Sequence, residues 1–237
     1  MKHPAAVEIL VLATACRVGE ASREDVVPDV GLEVTGSEAV ADVAKKQAHL
    51  VVNHMLSNAP RIVEKMKAAR FKVEIIPKDE VLTDLPDYAY LKGKTTADGR
   101  NYDTGTRGLG GTDKCSIGEE NLLCLRKQPY WQEDILVHEF AHSMKSNMDA
   151  ALSLSIDDAY RSAIVHGRYP QGAYIAANSQ EYWAEGTQAW FGVTERTDVN
   201  GGFNTAAKLR ARDPQLASIL LQVFGAATIP RVPGCPY

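Results

Sequence analysis

Residues 135–144 read ILVHEFAHSM, and this stretch says most about how the chain folds and what it binds. It predicts a helix from about residue 131 to about residue 147. Residues four apart share one helical face, so His138 and His142 can both direct ring nitrogens at one zinc ion. Glu139 can then reach a water on that ion as a general base. The alternative is a chance match, with two histidines that serve only the core.

Length and composition are those of an ordinary folded protein. The chain has 237 residues, of which 45% are hydrophobic and 24% charged, enough for one substantial core or two lobes that share an interface. Its formal net charge of -4 gives no basic surface for nucleic acid or anionic membrane. We expect one monomeric domain, with an N-terminal lobe of residues 1–147 and a C-terminal lobe of residues 148–237, that binds neither nucleic acid nor membrane.

The N-terminal segment resembles a signal peptide only in part. Residues 1–16 (MKHPAAVEILVLATAC) resemble a signal peptide in Lys2, in the apolar run and in the small residues before Cys16. Glu8 inside the run and Pro4 at its start count against a signal peptide. We interpret the segment as part of the folded chain.

The sequence has four cysteines, at Cys16, Cys115, Cys124 and Cys235. None forms a C-x-x-C pair, which argues against a structural zinc site. The simplest of the three connectivities pairs Cys115 with Cys124 and Cys16 with Cys235, and the second bond would close a long loop. Disulfides favour a secreted, extracellular protein. The alternative is four free thiols in a cytosolic enzyme.

The pattern of elements predicts an α+β fold with a small mixed sheet in the N-terminal lobe. Residues 37–69 have helical spacing broken near 57–60, so two helices are expected there. Residues 71–77 alternate and predict a strand. Residues 121–125 predict a further short strand, just before the helix that carries the histidines.

The rest of the chain is a long loop followed by helices. Residues 82–111 are rich in Gly, Asp, Thr and Tyr, so we expect a structured loop or a set of short strands with a functional role. Further helices are predicted near residues 156–165, 179–191 and 205–224. The histidine helix would then lie at the junction of the two lobes.

A catalytic zinc ion needs a third protein ligand and an open position for water. The third histidine of an H-E-x-x-H-x-x-G-x-x-H motif is absent, because residue 148 is methionine. Glu181 and Glu185 are four residues apart on a predicted buried helix, where carboxylates are costly unless paired or bound to metal. We assign Glu181 as the ligand and Glu185 as the acceptor of a ligating histidine's other N–H. The reverse assignment stays open, as does a solvent-facing role for both.

Tyr174 precedes Glu181 by seven residues. Its phenol could donate a hydrogen bond to the oxyanion of a tetrahedral intermediate. The chain has nine tyrosines, and most tyrosines are structural, so the residues alone give only weak support for this role.

Two segments together, HEFAH and YIAANSQEYWAE at residues 174–185, resemble the catalytic domain of the anthrax lethal factor-like metallopeptidases, a gluzincin group. The resemblance spans roughly residues 135–190, and it departs from the family at Ala141, where a glycine is common. It implies a zincin-like metallopeptidase fold and one catalytic zinc ion. The residues to which it assigns roles are His138, His142 and Glu181 as zinc ligands, Glu139 as general base, Tyr174 as transition-state donor and Glu185 as support for a ligand.

The leading hypothesis is a zinc endopeptidase that hydrolyses a peptide or protein substrate with a zinc-activated water. One alternative is a binding or toxin-accessory module that keeps the scaffold without turnover. Another is a zinc hydrolase of a non-peptide amide. A peptide substrate could pair with the strand predicted at residues 121–125, although an apolar strand beside a helix is more often core.

Overall fold

The computed structural model describes residues 27–96, 99–126, 128 and 130–237, and it confirms the predicted α+β fold. Within these residues one sheet is formed by the strands β1 (Glu33–Gly36), β2 (Lys72–Ile76), β3 (Gly108–Gly110) and β4 (Lys114–Gly118). Their spatial order is β1-β2-β4-β3. The first three of these run parallel, while β3 is antiparallel to β4 and forms an edge of the sheet.

Helices cover the sheet and make up the second half of the chain. The α-helices of the described residues are α1 (Asp42–Leu56), α2 (Pro60–Ala68), α3 (Glu119–Leu122), α4 (Ile135–Ser146), α5 (Ala150–Val165), α6 (Ser179–Phe191), α7 (Ala206–Arg212) and α8 (Pro214–Phe224). Short 3-10 helices lie at Leu82–Asp84, Pro86–Leu91 and Tyr174–Ala176.

Most predicted elements are present where periodicity placed them. The two helices expected in residues 37–69 are α1 and α2, and Pro60 begins the second because its fixed φ suits a first helical position. The strand expected at residues 71–77 is β2. The helix expected at residues 179–191 is α6, and α5 contains the one expected near residues 156–165.

The helix predicted at residues 205–224 is wrong as a single element, because the chain breaks at Asp213. The Asp213 side chain accepts a hydrogen bond from the Leu216 amide at 3.2 Å and so caps α8. Pro214 follows at the first turn, where its missing N–H does no harm, whereas within a continuous helix it would remove a hydrogen bond.

The strand predicted at residues 121–125 is also wrong, since the chain forms α3 and then turns at Cys124, which has φ 50°. The short apolar run there is ambiguous between strand and helix. The Asn121 side chain donates to the carbonyl oxygens of Tyr130 and Glu133, both at 2.9 Å, and accepts from the Ile135 amide at 2.9 Å. The segment therefore holds the loop that leads into α4.

The predicted cysteine pairing is wrong in the described residues. Cys124 is bonded to Cys235, with their Cα atoms 5.3 Å apart, and Cys115 is a free, buried thiol. Cys115 lies on β4 in the core. After β4, α3 leads the chain away from Cys115, and Cys124 then lies beside the C-terminal segment that contains Cys235. Cys16, the partner predicted for Cys235, lies outside the described residues.

The core joins the sheet to the helices through α4. Phe71, just before β2, meets Phe140 of α4 edge to face at 5.7 Å between ring centroids. On its other side α4 packs along α6, and Trp183 of α6 stacks on Phe224 of α8 at 5.6 Å. The helix with the two histidines therefore lies between the sheet and the helical half, as predicted.

Across the described ranges, no helix combines the length and the apolar character that crossing a membrane requires. The signal-like segment at residues 1–16 falls outside those ranges.

Candidate metal centre

The two histidines of α4 converge as their spacing predicts. The helix starts at Asp134, whose side chain accepts from the Val137 amide at 3.1 Å. One turn separates His138 from His142, and their Nε2 atoms lie 3.1 Å apart. His138 is buried, while His142 is partly exposed to the cleft beside it. Both rings thus point to the same spot at the wall of that cleft.

The third group comes from the first turn of α6. Asn178 caps this helix by accepting from the amides of Gln180 and Glu181 at 2.9 and 3.0 Å. The Glu181 Oε2 atom then lies 3.1 Å from Nε2 of His138 and 3.4 Å from Nε2 of His142. Ligand atoms of the three residues lie within 4.8 Å of one another.

This donor set fits a metal ion. Two imidazole nitrogens and one carboxylate oxygen are the ligands of a catalytic zinc site, which keeps a further position open. All three side chains border the cleft, so the open position would face a substrate. His138, His142 and Glu181 are thus brought together as a group that could hold a metal ion.

Two helix-to-helix hydrogen bonds fix the distance between the ligands. The Trp183 indole N–H of α6 donates to the Ala141 carbonyl of α4 at 3.0 Å. The Gln188 side-chain amide donates to the Asp134 carbonyl at 2.9 Å. Because these bonds lie on either side of His138 along α4, the two helices cannot slide past each other without breaking one of them.

The charged groups of the site strongly shift the pKa values of the ligand side chains. Burial alone lowers the pKa of His138, but its hydrogen bond with Glu181 and the nearby charges of Glu139, Glu185 and Glu181 raise it to about 10. Burial would likewise raise the pKa of Glu181, but hydrogen bonds from His138 and His142 hold it well below its usual range. Glu181 is therefore ionised, the form that binds a cation, while His138 would release its Nε2 proton when a metal ion binds.

Glu139 lies next to the ligands and is held by the edge strand. Its Oε2 accepts a hydrogen bond from the Gly110 amide of β3 at 2.8 Å. A Cβ at Gly110 would lie 2.8 Å from the Cβ of His142, and one at Gly108 would lie 2.7 Å from Cγ2 of Ile135. Glycine at both positions therefore lets β3 approach α4 closely enough to contact Glu139.

Tyr174 lies beside the ligands. Its ring is nearly parallel to that of His138, with centroids 6.3 Å apart and 17° between the planes. Burial raises the pKa of Tyr174, and the charge of Glu181 raises it further. The phenol is therefore protonated and able to donate a hydrogen bond at the cleft wall.

Glu185 is buried one turn after Glu181, with its Oε1 3.6 Å from Nδ1 of His138. That distance is too long for a hydrogen bond. Burial raises the pKa of this carboxyl to about 7; the charge of His138 opposes this rise and that of Glu133 adds to it. Glu185 therefore contributes charge near His138 without a direct bond to it.

Two groups of the site were not predicted from the sequence. Gln188 accepts from Nδ1 of His138 at 3.1 Å, and the Gly110 amide binds Glu139. Gln188 could have been found, because it follows Glu181 by seven residues and so lies two turns along the same helical face. A backbone amide on a glycine strand gives no such signal.

The cleft has a volume of about 780 Å³ and runs between β3 and the segment before α6. Apart from the ligand group, its wall includes a charged cluster centred on Arg196. This guanidinium binds Glu133 at 2.8 Å and Asp198 at 2.7 Å. The volume suits a peptide-sized ligand, since ligand sites commonly enclose about 300–1,000 Å³.

Among solved structures, the chain is similar to the PRO-PRO endopeptidase from Paenibacillus alvei, with a TM-score of 0.57 and 14% sequence identity. The match covers 81% of this chain and 97% of that one. The chain therefore shares the overall fold of that endopeptidase. At this identity the likeness concerns the fold alone, and it supports a metallopeptidase fold in general rather than the lethal factor-like group in particular.

Comparison with models of known protein families gives no match, and neither does comparison with curated proteins.

Proposed function

We propose that this protein is a zinc-dependent endopeptidase, acting as a single-domain monomer. The observation that carries the proposal is the convergence of His138, His142 and Glu181 within 4.8 Å, beside Glu139 in an open cleft. The similar fold of an endopeptidase agrees with this proposal, and the function itself is argued from the site, which has the required donors.

The residues divide the chemistry between binding and proton transfer. His138, His142 and Glu181 would hold the ion. When bound, zinc supplies a water of lowered pKa and polarises a carbonyl. Glu139 would take the proton from the attacking water and pass it to the leaving amine. Its contact with the Gly110 amide fixes the carboxylate in the cleft while leaving its other oxygen for this role.

Tyr174 would stabilise the transition state. Its raised pKa keeps the phenol protonated, so it can donate to the oxygen on which negative charge develops. Packing against the His138 ring holds it at the cleft. Glu185 would support the site as a buried negative charge near His138.

The substrate would bind along β3 rather than along residues 121–125. The Gly118 amide donates to the Arg107 carbonyl at 2.7 Å, so Arg107 belongs to a hydrogen-bonded pair of the antiparallel ladder. Such pairs alternate along a ladder, which turns the amide and carbonyl of Gly108 away from β4 and towards the cleft. An extended peptide could pair there by strand addition.

A secreted location agrees with the chemistry of the chain. The Cys124–Cys235 disulfide is compatible with an oxidising, extracellular setting. We therefore include secretion in the proposal.

Purified protein incubated with a peptide library tests the proposal. Pro-Pro peptides belong in the library, because the similar fold is that of a PRO-PRO endopeptidase. We expect cleavage that a chelator abolishes and that added zinc restores. Zinc binding without any cleavage would favour a non-catalytic module, and cleavage of only non-peptide amides would favour another hydrolase. Cleavage that is insensitive to the chelator would contradict the proposed mechanism.

A further inference from the structure

The second ring nitrogen of His138 has two neighbours on α6. Gln188 Oε1 lies 3.1 Å from Nδ1, within hydrogen-bond distance, while Glu185 Oε1 lies 3.6 Å away. Both side chains are buried. The partner of this nitrogen matters because it determines which nitrogen is left to bind a metal ion.

The orientation of the Gln188 amide is fixed by the backbone of α4. Its Nε2 donates at 2.9 Å to the carbonyl of Asp134, a group that can only accept. A flipped amide would place two oxygens against each other there and would face Nδ1 of His138 with an N–H. The amide oxygen must therefore point at His138, so Nδ1 carries a proton.

We propose that Gln188 is the positioning residue of the metal centre, holding His138 with Nδ1 protonated so that Nε2 is the nitrogen that binds the ion. This inference rests on the proposed zinc site, and it adds a residue that the catalytic motif does not contain. The Nε2 atom is the one that faces His142 and Glu181, at 3.1 Å from each. Outer partners of this kind set the orientation of a ligating imidazole.

The contrast with Glu185 supports the assignment. Glu185 Oε2 is buried and forms no hydrogen bond within the described part of the chain. Gln188, by comparison, uses both ends of its amide, one on Asp134 and one on His138. A neutral amide held at both ends restricts the ring of His138 more than a carboxylate that lies beyond bonding distance.

The test compares Gln188, Thr187 and Glu185 variants of the full-length protein by zinc affinity, measured in competition with a chromogenic chelator. Gln188→Leu should lower the affinity about 10- to 100-fold, the usual effect of removing an outer partner. Gln188→Glu keeps an acceptor and should recover part of the loss. Thr187→Val is the matched control, because its buried hydroxyl donates to the Trp183 carbonyl of its own helix at 2.8 Å; its affinity should stay within about twofold of the parent protein.

Nuclear magnetic resonance of the zinc-loaded protein, labelled with ¹⁵N in its imidazoles, gives a second readout. We expect a protected Nδ1–H signal from His138 that persists in Thr187→Val and is lost in Gln188→Leu. Affinity and signal unchanged in Gln188→Leu would overturn the inference, as would their loss in Glu185→Gln instead. Neither readout depends on turnover, so a protein that binds zinc but cuts nothing would contradict the peptidase proposal alone.

Discussion

The two walls of the cleft provide different parts of the site. On one wall, α4 and α6 present two imidazoles and three carboxylates, with the Gln188 amide buried behind His138. On the other, β3 presents backbone, with the Gly110 amide on Glu139 and the Gly108 edge turned to the cleft. The helical wall would therefore supply the metal ligands and the base. The strand wall would hold the base and the substrate in position. Substitutions on the helical wall should therefore reduce turnover or zinc binding, whereas those on the strand wall should reduce stability as well.

The largest effect should come from the base on the helical wall. Glu139→Gln keeps an oxygen that can accept from the Gly110 amide, so fold and zinc binding should survive. Peptide turnover should fall about 10²- to 10⁴-fold, because proton transfer is lost. Steady-state kinetics with zinc quantified in the same sample measures this. Substantial turnover in a zinc-loaded Glu139→Gln protein would show that another group is the base.

Removal of a ligand should mainly affect zinc binding. Glu181→Gln has the same shape but no charge, and we expect its zinc affinity to fall by more than about 100-fold, the upper end for an outer partner. Glu185→Gln is the matched control one turn along α6 and should lose less. Equilibrium dialysis of both variants decides between them. The opposite ranking would mean that Glu185 is the ligand and that the reverse assignment is right.

Loss of the Tyr174 hydroxyl should slow turnover without weakening zinc binding. Tyr174→Phe keeps the ring beside His138, and we expect about 10²- to 10³-fold lower kcat, as for removal of one oxyanion donor. The control is Tyr160→Phe, which loses a hydroxyl bound to the Ala176 carbonyl at 3.0 Å. Equal, small effects in the two variants would place Tyr174 outside the transition state.

A substitution on the strand wall should instead cost stability as well as activity. In Gly110→Ala the new methyl group would lie 2.8 Å from Cβ of His142, so β3 must move off α4. Overpacking of this kind costs about 1–3 kcal/mol of unfolding free energy. Gly105→Ala, whose methyl group would meet only its own loop, is the control. Denaturant unfolding measures the unfolding free energy of both variants. An unchanged unfolding free energy in Gly110→Ala would contradict the proposed difference between the two walls.

The contrast between side chains on the helical wall and backbone on the strand wall also explains what could be predicted from the sequence. The grouping of His138, Glu139 and His142 follows from helical spacing, since four-residue steps fix which side chains share a face. The same spacing puts Glu181 and Glu185 on one face but does not choose between them as the third ligand. The edge strand β3 could not be predicted in this way, because its GLG sequence has no periodicity and its position depends on contact with α4. The cysteine pairing failed for a similar reason.

That pairing depended on tertiary structure. Cys124 and Cys235 are 111 residues apart in sequence, and only the path of the chain after α3 brings them together. Cys115, although near Cys124 in sequence, is enclosed in the core on β4. Proximity in sequence was thus a poor guide to proximity in the fold.

A metal centre on the helical wall must bind zinc through the three ligand side chains of α4 and α6. The most direct measurement is a crystal structure of the zinc-loaded protein with anomalous diffraction recorded at the zinc edge. We expect one strong peak at about 2.0–2.2 Å from Nε2 of His138, Nε2 of His142 and a carboxylate oxygen of Glu181. A peak elsewhere, a peak bound through Glu185, or no peak in a protein exposed to zinc would show that these three side chains do not form the metal centre.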